Sequence, residues 1–173
     1  AGGLRGGEGG KGFDALGLDP AGSVYEVHKD IFKHLYDKGK GVAKREEVGQ
    51  VLYNRGVIDG MLVTEAIRTA QAKFGKKPLT GEEVRWGFEN LNITDARIKE
   101  LGFDGLIGPI KVSCSDHEGS RKARIQQWDG KEWKIVSKGY YEPDRDVVDK
   151  LIKEDSEQLA KDNNITPRDC KSS

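Results

Sequence analysis

The residues best equipped for chemistry fall in one hexapeptide, Ser113-Cys114-Ser115-Asp116-His117-Glu118. A hydroxyl or thiol close to an imidazole and a carboxylate is the equipment of nucleophilic catalysis. Such groups are normally gathered by the fold from separate elements, and no glycine-flanked nucleophile elbow surrounds these residues. Followed by Gly119-Ser120, the hexapeptide reads as a polar turn between strands, so no catalytic residue is assigned and no enzyme is expected. The histidines offer no better metal site. His28 and His34 lie on different helix faces and His117 is remote in sequence, whereas zinc ligands come in tighter pairs. All three read as solvated surface residues, and no metal or other cofactor is expected.

Four further groups of residues have types or spacing that invite a functional reading. Tyr53-Asn54-Arg55 stands just ahead of an apolar stripe and is either the plain start of a helix or a run that faces a ligand cleft, since a helix N-terminus is well placed for ligand contact. Arg55 would then be the partner for a carboxylate, through a bidentate contact. Glu65 and Arg68 lie three apart on the same helix and read as a surface ion pair worth a few tenths of a kcal/mol. Cys114 and Cys170 either pair, in an oxidising compartment, or stay apart as small core residues. The glycine-rich Gly2–Gly12 lacks phosphate-loop spacing and a following Lys-Ser/Thr, which argues against nucleotide binding.

The elements that must position these residues follow from hydrophobic period and punctuation. Val57, Ile58, Met61, Leu62, Ile67, Ala70 and Phe74 recur at helical spacing, which predicts a helix over Tyr53–Gln71 ending near Gly75, roughly 27 Å long for about 18 residues. Upstream, Gly12–Leu18 reads as a strand. A helix over about Ser23–Lys38 follows, with Val24, Val27, Ile31, Leu35 and Tyr36 inward and Gly39 as its stop. Thr80-Gly81-Glu82-Glu83 is a capping box opening a helix to Asn90, and Thr94 caps a short helix closing at Gly102. Gly105–Ser115 changes to strand period. Asp129-Gly130 is a hairpin turn signal within Arg124–Val136. Asp144–Asn163 is a charged amphipathic helix with Val147, Val148, Leu151, Ile152 and Leu159 expected inward.

With 173 residues the chain is long enough for one domain that buries around 70% of its extended surface. Its 29 basic and 29 acidic residues balance to a net charge of zero, which argues against a nucleic-acid partner, as that requires a basic face. Hydrophobic residues make up 35% and the mean hydropathy is −0.68, polar for a globular protein without being disordered overall. No apolar run approaches the roughly 20 residues that span a bilayer, and Ala1–Gly10, with its six glycines, lacks the apolar core of a signal peptide.

Five segments in order resemble the C-terminal half of a periplasmic solute-binding protein of the branched-chain amino-acid ABC-transporter type: KGFDALGLDPAG, VHKDIFKHLYDKGKG, YNRGVIDGMLVTEAIRTAQ, GLIGPIKVSCSDHEGSRKARIQQW and YYEPDRDVVDKLIKEDSEQLAKDNNITPRDC. They span nearly all of residues 11–170. The resemblance implies a type I periplasmic binding fold: α/β, with partial lobes whose helices pack on a mostly parallel sheet, followed by a β-hairpin and a closing helix. Residues 1–11 would be a flexible glycine-rich start. Residues 12–173 would be the C-terminal half of the fold, with 12–110 mainly one lobe and 111–173 the crossover, hairpin and closing helix.

The function so implied is non-catalytic capture of a small organic solute (an amino acid, amide or carboxylate) in an interlobe cleft for import, with an ABC-transporter permease as the docking partner. A ligand-sensing module that signals to a protein partner is the second reading. The resemblance sets Tyr53 and Asn54 near the cleft, and Asp19–Ser23 and Ile107–Val112 near crossovers. It implies an oxidising periplasm and, with it, a Cys114–Cys170 disulfide. A complete member is about twice this long, so the cleft would need the missing half of the fold, or a second copy of the chain, as its other wall.

Overall fold

The longest apolar stripe of the sequence forms the longest helix and organises everything around it. In the computed structural model, which describes residues 25–170 apart from 121, 124 and 132, the element order begins with α1, Glu26–His34. Short 3₁₀ turns at Tyr36–Lys38 and Arg45–Glu47 lead into α2, Val51–Phe74, which Gly75 ends. Then come α3, Gly81–Glu89; β1, Asn92–Ile93; α4, Asp95–Glu100; and β2, Ile110–Lys111. A hairpin of β3, Gln126–Trp128, and β4, Trp133–Ile135, precedes α5, Arg145–Asp162. The strand expected over Gly12–Leu18 and the glycine-rich start lie outside the described residues.

The chain is thus a mixed helix and sheet protein, with five α-helices and two small sheets among the described residues. Both sheets are two-stranded and antiparallel: Asn92 pairs with Lys111 and Ile93 with Ile110, while Gln126, Gln127 and Trp128 pair with Ile135, Lys134 and Trp133. The mostly parallel sheet expected of a type I lobe is therefore corrected for these residues. Parallel pairing needs long crossovers, whereas β3 and β4 are joined by the tight turn at Asp129-Gly130, where Gly130 takes φ +100°. The strand period of Gly105–Ser115 yields only two paired residues. The backbone before it turns through Phe103–Ile107, and that after it through the Ser113–Asp116 bridge.

Helix starts obey local chemistry. The Thr80 hydroxyl accepts from the Glu83 N–H at 3.2 Å, and the Glu83 carboxylate accepts from the Thr80 N–H at 2.8 Å. Thr94 accepts from the Arg97 N–H at 3.3 Å, and Asp144 caps α5. The core gathers Ile58, Met61 and Ala66 of α2 with Leu91, Ile93, Ile98, Phe103 and Leu106. α2 and α3 approach so closely that a Cβ at Gly87 would stand 2.2 Å from the Ala66 carbonyl oxygen.

α5 departs from expectation. Val147, Leu151, Ile152 and Leu159 are exposed, and no residue of the helix is buried. Its amphipathic pattern is satisfied as a helix without a described layer beneath it, and its surface is laced by charge pairs such as Lys150–Glu154 and Lys153–Glu157.

Candidate functional site

α2 and α3 rise on one side, and the segment from Ile107 to Ser120 on the other, around a cleft of about 870 Å³. Its walls are Ile58 and Leu62 from α2, Val84 and Phe88 from α3, and Ile107 and Val112 from the extended segment. Two features set the angle of these walls. One is the Gly87–Ala66 contact, where the absent side chain lets the helices touch. The other is a partly buried ion pair: Arg97 of α4 donates through Nε and Nη2 to the two oxygens of Glu65 on α2, both at 2.8 Å. Arg68, read in the sequence as the partner of Glu65, reaches it at only 3.6 Å. The Arg97 hydrogen bonds hold the Glu65 carboxyl below its ordinary value even though burial opposes this. The signal for a buried Glu65 was present in its spacing, four after Met61 and seven after Ile58, on the apolar stripe itself.

The cleft has one acidic end. Glu89, the last residue of α3, has its side chain only 6% exposed and accepts from Arg168 Nη2. His117 Nε2 lies 3.5 Å from the same oxygen. Arg168 Nη2 also lies 2.8 Å from Cys114 Sγ, and Cys114 is bonded to Cys170 with an S–S distance of 2.03 Å. Around these cysteines the hexapeptide is a tight turn, in which Ser113 N–H donates to Asp116 O at 2.9 Å and the Asp116 carboxylate accepts from the Glu118 N–H at 3.1 Å. With the Cys114 sulfur in a disulfide and His117 directed to Glu89, the turn assembles no thiol nucleophile with its base. A second, smaller cavity of about 460 Å³ is more polar, with Asp95, Lys111, Asp116, Glu142 and Arg145 among its lining.

The run Tyr53-Asn54-Arg55 lies in the first turns of α2, and its members line neither cavity. Asn54 is 3% exposed and its amide is engaged at both ends. Oδ1 meets His28 Nε2 at 2.7 Å and Nδ2 donates to Gly49 O at 3.1 Å. His28 Nδ1 accepts from the Tyr25 N–H at 3.3 Å, so Nε2 carries the proton and donates to Asn54. The expectation of a solvated His28 is thereby corrected: it is 1% exposed and ties the start of α1 to the start of α2. Tyr53 and Arg55 are half-buried. Burial, with the neighbouring Tyr36 phenol adding to it, pushes the Tyr53 phenol above its ordinary value. Among the described residues no three His, Cys, Asp or Glu side chains gather as a metal site requires.

No protein-family model and no curated protein matches the chain. A solved structure does. The chain is similar to a crystal structure named as an ABC transporter permease from the Pseudomonas fluorescens group, with 47% sequence identity, a TM-score of 0.76 and 87% of this chain covered. The chain spans 36% of the length of that protein. This corrects the expectation drawn from the resemblance above. The similar protein is named as a permease, not as a solute-binding protein, and the solute-capture, periplasmic and docking-on-a-permease roles go with that correction. Among the described residues no helix is long and apolar enough to cross a membrane.

Proposed function

We propose that the chain is part of an ABC-transporter component and works there by contact, through the cleft between α2, α3 and the Ile107–Ser120 segment. One observation carries the reading: 47% identity over 87% of the chain to a protein named as an ABC transporter permease. The cleft walls support a contact role. Leu62, Val84 and Phe88 are only partly buried, so they present apolar area that further protein can cover. Because the chain corresponds to 36% of that protein, its fold is proposed as one portion of a larger α/β assembly whose further strands complete the layer beside α2 and α3.

Catalysis has no part in this proposal. Tyr53 and Arg55, half-buried at the start of α2, are proposed as contact residues, with Asn54 holding that helix start in place. The Cys114–Cys170 bond favours an oxidising compartment as the working environment.

The test is site-specific photo-crosslinking in cells, from probes placed at Leu62 and Phe88. Cross-links to other parts of an ABC transporter, its ATP-binding subunit included, are expected. Adducts only with proteins unconnected to a transporter would overturn the proposal.

A further inference from the structure

The disulfide stands between an arginine and a histidine that both approach one buried carboxylate. Cys170 lies beyond α5, and residues 163–169 are exposed. Two positions before Cys170, Arg168 donates to Glu89, which is 79 residues away, and reaches Cys114 Sγ. Three positions after Cys114, His117 approaches the same Glu89 oxygen. Both groups around Glu89 therefore hang on segments that the disulfide joins. Without that tether, holding Arg168 in place would carry the closure entropy of a long loop.

We propose that the Cys114–Cys170 disulfide is a redox latch on the acidic end of the cleft. Oxidised, it holds Arg168 on Glu89, which lines the cleft; reduced, it lets the 163–170 segment leave and takes that cation away from the cleft's carboxylate. The step is a two-electron reduction by a dithiol. A thiolate of the reductant attacks one sulfur, the S–S bond breaks and a mixed disulfide forms. The second thiol of the reductant resolves it, so the reductant leaves as its own disulfide and Cys114 and Cys170 each end as a protonated thiol. A carboxylate as enclosed as Glu89 is costly once its cation is gone. Water must then reach it, and the last turn of α3 with the following Asn90-Leu91 loosens.

Amide hydrogen exchange of the full chain, read by mass spectrometry with and without a dithiol, tests this. Reduction is expected to speed exchange across residues 88–92 by roughly tenfold, the scale of one lost charge-assisted hydrogen bond, while residues 58–66 of α2 keep their protection. Cys170→Ser should reproduce the reduced pattern. Arg168→Gln, with the disulfide intact, should speed exchange at 88–92 by a similar factor, which separates the ion pair from the tether. Unchanged exchange at 88–92 on reduction would overturn the latch. So would an Arg168→Gln protein indistinguishable from the unmodified one, or a loss of protection spread equally through α2 and α3.

Discussion

The carboxylate of Glu65 on α2 accepts two hydrogen bonds from the guanidinium of Arg97 on α4, each 2.8 Å long, across 32 residues of sequence. The geometry is the paired fork that makes Arg–carboxylate contacts strong and directional. It also fixes how α4, and through it β1, sits against the longest helix.

Removing one member of this pair leaves the other only its second partner, Arg68 at 3.6 Å for Glu65 and Glu100 at 2.7 Å for Arg97. Glu65 has its side chain 11% exposed and Arg97 22%, so neither is rescued fully by water. Arg97→Ala should cost about 2 kcal/mol, the scale of hydrogen bonds to a charged group, measured as a lowered urea midpoint with unchanged slope. A change under about 0.5 kcal/mol, the usual surface result, would mean that the pair is solvated in solution.

The same pair gives stability a pH dependence of definite sign. Arg97 lowers the folded-state value of Glu65 below its ordinary 4.5. The stabilisation is present in full above that ordinary value and is lost as pH falls below it towards the folded value, because the unfolded chain takes up the proton first. Denaturation midpoints should therefore drop on acidification through this window, and Glu65→Gln should flatten that part of the curve. An equally steep acid loss in Glu65→Gln would assign it to other carboxylates.

Gly87 offers a test in which two effects oppose each other. In an exposed helix interior, Gly→Ala stabilises by up to about 1 kcal/mol. Here the new Cβ would stand 2.2 Å from the Ala66 backbone oxygen and 3.0 Å from the Ala70 Cβ, so α2 and α3 would have to part. Overpacking of this kind costs about 1–3 kcal/mol or more and should win. Gly87→Ala is expected to lower the thermal midpoint; a raised midpoint would show that the two helices are not in contact.

The local elements were largely legible because their causes are local. The Thr80–Glu83 capping box, the Gly75 stop and the Asp129-Gly130 turn all lie within a few residues of their effects, and each appears where the sequence places it. Partner choice was not legible. Glu65 has Arg68 one turn away in sequence, yet the fold brings Arg97 closer. His28 carries no sequence mark of burial, since only the approach of Asn54 and Tyr25 gives both ring nitrogens a partner. The cleft walled by the middle of α2 and by α3 has no local sequence signal either, because Leu62, Val84 and Phe88 read as ordinary members of apolar helix stripes. The apolar pattern of α5 specifies a helix face but not whether anything lies against it.

That last point predicts a small effect where the sequence suggests a large one. Leu151 is 52% exposed, so Leu151→Ala in this chain should change stability by less than about 0.5 kcal/mol, against the 2–5 kcal/mol expected of a core leucine. A loss in the core range, read by chemical denaturation, would mean that α5 packs on a surface in solution.

Asn54 separates a structural from a ligand-contacting role most cleanly. Its amide is used by His28 and Gly49, and both lose that hydrogen bond if it is removed. Asn54→Ala should cost about 1–3 kcal/mol. The loss should be non-additive with His28→Ala, because the two substitutions break the same contact. Tyr53→Ala, one residue earlier and half-buried, should perturb stability less. A double-mutant cycle by urea denaturation is the check. If Asn54→Ala leaves stability untouched, or if the two losses simply add, then the His28–Asn54 link does not join α1 to α2, and Asn54 becomes available for contact after all.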